Sequence, residues 1–282
     1  MITPPIVALL TDFGLSDAYV GTMKGVLLAI CPAARLVDLT HDVQPQNVRQ
    51  AAYLLATAYA YFPADTVFLV VVDPGVGTAR APIAVETDRG RYVAPDNGVL
   101  SYVLAETGGG RAYALENPAY RLAETSQTFH GRDVFAPAAA HLAAGVPVSV
   151  FGPALETLVT LPAPRLIVAP DRVDGEVLHI DHFGNLITSI GRLAWHGSEI
   201  LRFAPRFGGR VSAPETLNAA GCQVLVGERA IGPVRPTYGA VSPGALTALI
   251  GSAGQLEIGI NQGHAASSLG AVIGDLVSLV WA

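Results

Sequence analysis

The sequence predicts an α/β fold: an N-terminal α/β domain with a mainly parallel sheet over residues 1–163, and a smaller C-terminal β-barrel-like domain over 172–282. Three observations predict it. From Ile6 to Val72, short apolar strands alternate with amphipathic helical stretches, the order that gives parallel pairing through right-handed crossovers. Beyond Pro170 the helical period fades into short alternating strands separated by Gly and Pro, the mark of an antiparallel barrel or sandwich. Between the two, Pro162, Pro164 and Pro170 punctuate a boundary.

Each element has its own signal. Ile6–Leu10 is a first strand. Asp17 is placed to cap a helix over Ala18–Ile30, which Pro32 follows. Leu36–Leu39 is a second strand. Gln46 or Asn47 opens a second helix, with Val48, Ala51, Ala52, Leu55 and Tyr59 at helical spacing. Thr66–Val72 is a third strand, rich in β-branched residues and buried in character. Ile83–Thr87 and Arg91–Ala94 form a hairpin around Asp88-Arg89-Gly90. Asp96 or Asn97 caps a helix through Val99, Leu100 and Leu104, broken by Gly108-Gly109-Gly110, and Val134–Ala144 is an Ala-rich helix. In the second domain, Val173–Ile180, Leu186–Ile190, Arg210–Ser212, Gln223–Val226, Leu246–Ile250, Leu256–Ile260 and Ala271–Val280 are strands.

Composition narrows the function classes. Hydrophobic residues make up 51% of the 282 positions and charged residues 14%, enough apolar material for a substantial core. The net charge is −6, and no basic cluster offers a footprint for nucleic acid. Cys31 and Cys222 lie far apart, outside any metal-ligand spacing, and read as free thiols of a reducing compartment. The N-terminus enters a strand without a charged leader, and no apolar run approaches the roughly 20 residues of a membrane span. A soluble cytoplasmic protein is the expectation.

The chemistry-bearing residues gather at predicted strand ends. The third strand stops at Asp73-Pro74-Gly75-Val76-Gly77-Thr78-Ala79-Arg80, a carboxylate and a guanidinium joined by a Gly-shaped loop. In open parallel sheets ligands bind beyond the carboxyl ends of the strands. An ion-paired turn explains the same eleven residues from Val70 to Arg80. Asp12 follows the first strand and suits a ribose diol or a turn. His41-Asp42 after the second strand reads as a surface turn. His130, in Thr128-Phe129-His130-Gly131-Arg132-Asp133, can join Asp73 and Arg80, and the three suit the orientation of one water without a metal. In the second domain, Asp181-His182-Phe183-Gly184-Asn185 supplies a carboxylate, a ring and an amide that suit an amino-acid end, or form a polar turn. The small residues around Ala265 and Ala266 admit a flat base, and Tyr238 can stack on it. No GxxxxGK[ST], helix-opening GxGxxG, GxSxG or HExxH occurs.

Taken together, Leu10-Thr11-Asp12-Phe13-Gly14, Met23-Lys24-Gly25, Val72 to Gly77, Ala94 to Gly98, Phe129 to Asp133 and the Asp181-to-Asn185 loop resemble the family of S-adenosyl-L-methionine (SAM) hydroxide adenosyltransferases, relatives of the fluorinase and chlorinase enzymes. The resemblance implies an adenosine-forming SAM hydrolase with no cofactor. It also implies a homotrimer with active sites between the N-terminal domain of one subunit and the C-terminal domain of the next. It assigns Asp73, Arg80 and His130 to the nucleophilic water, Asp12 to the ribose, and Asp181, Asn185 and Ser252 to methionine. Phe183 and Tyr238 flank the adenine, and the backbone of Ala265 and Ala266 holds its edge. The Arg that follows the Ser in the halogenases is Ala253 here. The halogenases need a small apolar halide pocket with a hydroxyl donor. This chain offers Gly131 there and a carboxylate, Asp73, that repels an anion. Two other classes compete: a metal-dependent nucleotide phosphatase using Asp12, Asp17, Asp38 and Asp42 as oxygen ligands, and a non-catalytic adenosine- or SAM-binding module.

Overall fold

A computed structural model describes residues 3–206 and 216–281. The chain divides into two compact units, Met1–Leu161 and Pro162–Ala282.

The first unit runs β1 (Ile6–Thr11), α1 (Tyr19–Ile30), β2 (Arg35–Thr40), α2 (Val48–Ala58), β3 (Val67–Val71), β4 (Pro82–Thr87), β5 (Gly90–Pro95), α3 (Ser101–Thr107), β6 (Arg111–Ala114), α4 (Ala136–Ala143) and β7 (Ala154–Leu155). Its seven strands order as β2-β1-β3-β5-β4-β6-β7. The first four are parallel to one another, and the β4, β6 and β7 side is antiparallel.

Period-two alternation splits the apolar strands between two cores. Val7 and Leu9 of β1 and Val67, Leu69 and Val71 of β3 pack with Met23 and Leu27 of α1 and the alanines of α4. Ala8, Leu10, Phe68 and Val70 face the other way, onto Ala51 and Leu55 of α2 and Val103 of α3. Because both faces of β1 and β3 are covered, those strands are apolar throughout except for Thr11 at the end of β1.

Several helix starts differ from the sequence reading. Asp17 does not cap α1, whose N-cap is Ala18 without a side-chain bond. Asn47 does cap α2, accepting from the Gln50 amide at 3.0 Å. The third helix begins at Ser101 rather than at Asp96 or Asn97. Asp96 accepts from the Val159 amide at 2.9 Å, while Asn97 turns the chain ahead of the helix, its Oδ1 accepting from the Val99 amide at 3.2 Å and its Nδ2 donating to the Val72 carbonyl at 2.9 Å. The Ala-rich helix is entered one turn early through a π-helical turn, Gly131–Phe135.

The second unit contains β8 (Leu166–Ala169), β9 (Arg172–Ile180), β10 (Leu186–Gly191), β11 (Leu193–His196), β12 (Ile200–Phe203), β13 (Thr216–Asn218), β14 (Cys222–Val226), β15 (Arg229–Gly232), β16 (Val234–Arg235), β17 (Leu246–Ile250), β18 (Gln255–Ile260), α5 (Ala265–Leu269) and β19 (Leu276–Trp281). The main sheet orders as β15-β14-β19-β9-β10-β18-β17-β16, with β8 beside β9. Its two end strands, β15 and β16, follow each other in the chain across Pro233, so the sheet nearly closes into a barrel around one core. Strands β11, β12 and β13 form a separate small sheet. The predicted strand Ala271–Val280 shortens to β19, because Asp275 accepts from the Val272 amide at 2.8 Å and Gly274 turns the chain at φ +97°. Predicted strand Arg210–Ser212 lies outside the described residues. No helix among the described residues is long and apolar enough to cross a membrane.

Candidate active site

The strand order fixes where a crevice opens in the first unit. The β1–β2 connection passes through α1 on one face of the sheet, and the β2–β3 connection through α2 on the other. The two diverge between the carboxyl ends of β1 and β3, the switch point at which open α/β sheets bind ligands. Asp12 leaves the end of β1 and Asp73 follows the end of β3, so the two acids flank the gap. A cavity of about 400 Å³ lies there, lined by Asp12, Phe13, Tyr19, Gln46, Asp73 and His130 among others.

The loop after β3 bends back through two turns, with the Val76 amide on the Asp73 carbonyl and the Thr78 amide on the Gly75 carbonyl. Gly77 sits at φ +75°, and a Cβ there would stand 2.6 Å from the Gln127 carbonyl oxygen. These turns return Arg80 onto Asp73. Arg80 Nε donates to Asp73 Oδ1 at 2.9 Å and to Oδ2 at 3.0 Å, and its Nη2 also bonds Oδ2. The two side chains are 9% and 6% exposed, so this is a buried, fork-shaped pair. Arg80 also lies over the Phe135 ring, 5.0 Å from its centroid.

The third member is His130, which caps the π-helical turn. Arg80 Nη2 lies 2.9 Å from His130 Nδ1. A guanidinium can only donate, so Nδ1 accepts and the neutral ring carries its proton on Nε2. Burial, and then the Arg80 charge, hold the imidazole below its usual range against the pull of the Asp73 carboxylate. Asp73 and His130 line the crevice, whereas Arg80 lies behind them and clamps both. Asp12 faces the same crevice and accepts from the Gln46 amide at 2.7 Å.

His41 is not a surface turn. It is 3% exposed, with Nδ1 2.8 Å from Thr11 Oγ1 and Nε2 3.1 Å from Asp38, which also pairs with Lys24 at 2.6 Å. This chain ties the end of β1 to β2 beneath Asp12. Asp38 is thereby engaged, while Asp17 and Asp42 are exposed. Among the described residues no three His, Cys, Asp or Glu side chains gather as a metal-ligand group, so the acids a phosphatase reading needs do not converge.

A second cavity, of about 690 Å³, lies within the barrel unit. Asp181, Phe183, Asn185, Tyr238 and Ser252 all line it. Asp181 shapes its own loop: Oδ1 accepts from the amides of Phe183 at 2.9 Å and Asn185 at 2.8 Å, and Oδ2 from Asn185 Nδ2 at 2.9 Å. Gly184 sits at φ +82° there, and a Cβ on it would stand 2.2 Å from His264 Nδ1. Phe183 is left 71% exposed. Ala265 and Ala266 open α5 and are buried, and the Ala266 amide donates to the Gly184 carbonyl at 2.9 Å, which ties α5 to the Asp181-to-Asn185 loop.

Sequence reasoning missed Glu257. It lies on β18 at 8% exposure, lines this cavity and accepts a hydrogen bond from the Tyr238 hydroxyl. Its signal was an acid between Leu256 and Ile258 on a buried strand. Burial pushes its carboxyl up. The Tyr238 bond opposes that, and the charge of Asp181 adds to it.

The model of the SAM hydroxide adenosyltransferase N-terminal domain matches residues 7–152, and that of the C-terminal domain matches residues 175–278. The chain is 42% identical to an (R)-S-adenosyl-L-methionine hydrolase of Salinispora tropica over 98% of its own length and 97% of the relative's. It is 43% identical to a protein of the same name from Thermus thermophilus, over 93% and 94%. A crystal structure of an uncharacterized conserved protein from Thermotoga maritima superposes with a TM-score of 0.83 at 37% identity, covering 97% of this chain and 99% of that one.

Proposed function

The chain belongs to the SAM hydroxide adenosyltransferase family, and from that membership we propose that it hydrolyses SAM at the ribose C5′, releasing adenosine and L-methionine. What supports the reading within the molecule is the Asp73–Arg80–His130 cluster beside a crevice at the switch point. Water attacks C5′ in line with the carbon–sulfur bond. That bond breaks with its electron pair onto sulfur, leaving the neutral thioether of methionine, and the water proton is given up. A departing thioether needs no general acid, and the step as drawn calls for no metal.

The demand falls on the nucleophile. With Nδ1 committed to Arg80, His130 offers Nε2–H as a donor to the water oxygen. Asp73 retains free lone pairs and is the group to accept the water's proton. Arg80 is a positioning residue that holds the two in fixed relation. Such fixing of reactants can account for about 7–11 kcal/mol of a barrier. Asp12 receives the ribose diol. Asp181, Asn185 and Ser252 hold the amino-acid end, and Phe183 and Tyr238 flank the base. The working assembly is a cytoplasmic homotrimer, for which light scattering should return three times 29.2 kDa.

The deciding experiment runs the reaction in ¹⁸O-water with EDTA. Equal amounts of adenosine and methionine should form, with label in the adenosine 5′-hydroxyl. Unlabelled adenosine, or turnover abolished by EDTA, removes the mechanism.

A further inference from the structure

The barrel cavity carries a charge imbalance. Its described lining includes two acids, Asp181 and Glu257, and no Lys, Arg or His. Ionised carboxylates provide about four acceptor sites each. Asp181 has already used three of them on the amides of Phe183 and Asn185 and on the Asn185 side chain. Glu257 has used one, on the Tyr238 hydroxyl, its hydrogen-bond partner among the described residues. Its other oxygen, Oε2, abuts Gly251 so closely that a Cβ there would stand 2.2 Å away. Gly259 makes room in the same way for the Tyr238 ring, which a Cβ would meet at 2.5 Å, and for Asn185 Oδ1, at 2.8 Å. Two glycines thus accommodate a buried carboxylate and the phenol that orients it, at a wall of an open cavity.

An unpaired buried carboxylate is costly, and a cation that donates hydrogen bonds relieves it. SAM has two cationic centres. The sulfonium carries no N–H or O–H, whereas the α-ammonium carries three N–H donors. We propose that Glu257 accepts the α-ammonium group of the substrate's amino-acid end, with Asp181 contributing at most its one remaining acceptor site and serving chiefly to shape the loop. This inference deepens the SAM-hydrolase reading and rests on it. It adds a strand residue, Glu257, to the loop residues proposed for the amino-acid end.

The test compares two ligands that differ in one group. Binding of L-methionine and of 4-(methylthio)butanoate, which lacks the amino group, is measured by calorimetry on wild type and Glu257→Gln. Gln keeps an acceptor for Tyr238 and removes the charge. Wild type should prefer L-methionine, and Glu257→Gln should cut that preference by about 10- to 100-fold, the range of a charge-assisted hydrogen bond. A structural role for Glu257 would weaken both ligands together and leave the ratio unchanged, which overturns the proposal. Wild type binding both ligands equally also overturns it. A crystal structure of the wild-type protein with L-methionine decides the matter even if the variant does not fold. The amino nitrogen should lie within hydrogen-bond distance of a Glu257 oxygen, and any other placement, or an empty cavity, refutes the assignment. SAM turnover by wild type separates the two levels: absence of adenosine and methionine defeats the hydrolase reading, whereas turnover with an unchanged ligand ratio defeats only the role of Glu257.

Discussion

Arg80 serves two partners with one rigid fork, and that makes its replacement diagnostic. Removing one member of a buried ion pair leaves the other charge uncompensated, so Arg80→Ala should destabilise the protein by about 3–5 kcal/mol in denaturant unfolding. The smaller Arg80→Lys change keeps the charge but reaches only one partner well, and kcat should fall at least about 10-fold while KM moves little. The pH profile separates positioning from mere stability. In the proposed mechanism His130 works as the neutral imidazole, and burial and Arg80 hold its pKa below the usual 6.5. The acidic limb of kcat/KM should therefore lie below pH 6.5 in wild type. Without the Arg80 charge, and with Asp73 unpaired beside it, that limb should move to higher pH in Arg80→Ala. A limb that stays in place would show that Arg80 does not act through His130. The same depressed pKa works on stability: the contribution from neutral His130 is complete above about pH 6.5 and is lost as pH falls through the lower folded-state value.

The loop between β3 and β4 acts as a unit, because its turns set the distance from Asp73 to Arg80. Gly77 is its pivot. Gly77→Ala imposes a side chain at φ +75° and drives it against the Gln127 carbonyl, so the loop must move. Loss of about 1–2 kcal/mol and a reduced kcat are expected from thermal unfolding and steady-state assays. Gly145, at φ +93° with nothing within 4 Å of a Cβ, is the control: the same substitution should weaken stability and leave kcat unchanged. If both variants lose kcat equally, the loop is not a special determinant.

Each unit of the whole molecule buries one free thiol. Cys31 belongs to the core of the first unit and Cys222 to the barrel core. Alkylation of native protein should be slow at both, and peptide-level labelling across a denaturant series should report the opening of each unit separately. Identical midpoints would mean that the two units open as one. Much of this architecture was legible in the sequence. Burial on both faces leaves β1 and β3 as apolar runs, and Asn47 marks a helix start that the structure retains. The failures share a cause: polar side chains were assigned to their nearest neighbours in sequence. Asp96 serves Val159, Asn97 reaches back to Val72 besides bonding the nearby Val99 amide, and His41 is buried against Thr11, and these long contacts span 25 to 63 residues. Asp73, Arg80 and His130 were readable because each stands at a strand or helix end, where the fold brings them together. Glu257 was missed because its partner Tyr238 lies 19 residues away, and only the fold brings the two to one cavity.

Gly131 carries one more consequence. A Cβ there would meet Met23 Sδ and Phe129 at 3.2 Å and Phe13 at 3.3 Å, and its Cα already forms part of the crevice wall. A side chain is seated there only if a thioether and two rings give by a few tenths of an ångström. For protein engineering this makes the choice of nucleophile a property of packing. On the proposed mechanism, turning the crevice from water toward an anion calls for the aromatic wall and the Asp73 charge to be rebuilt together.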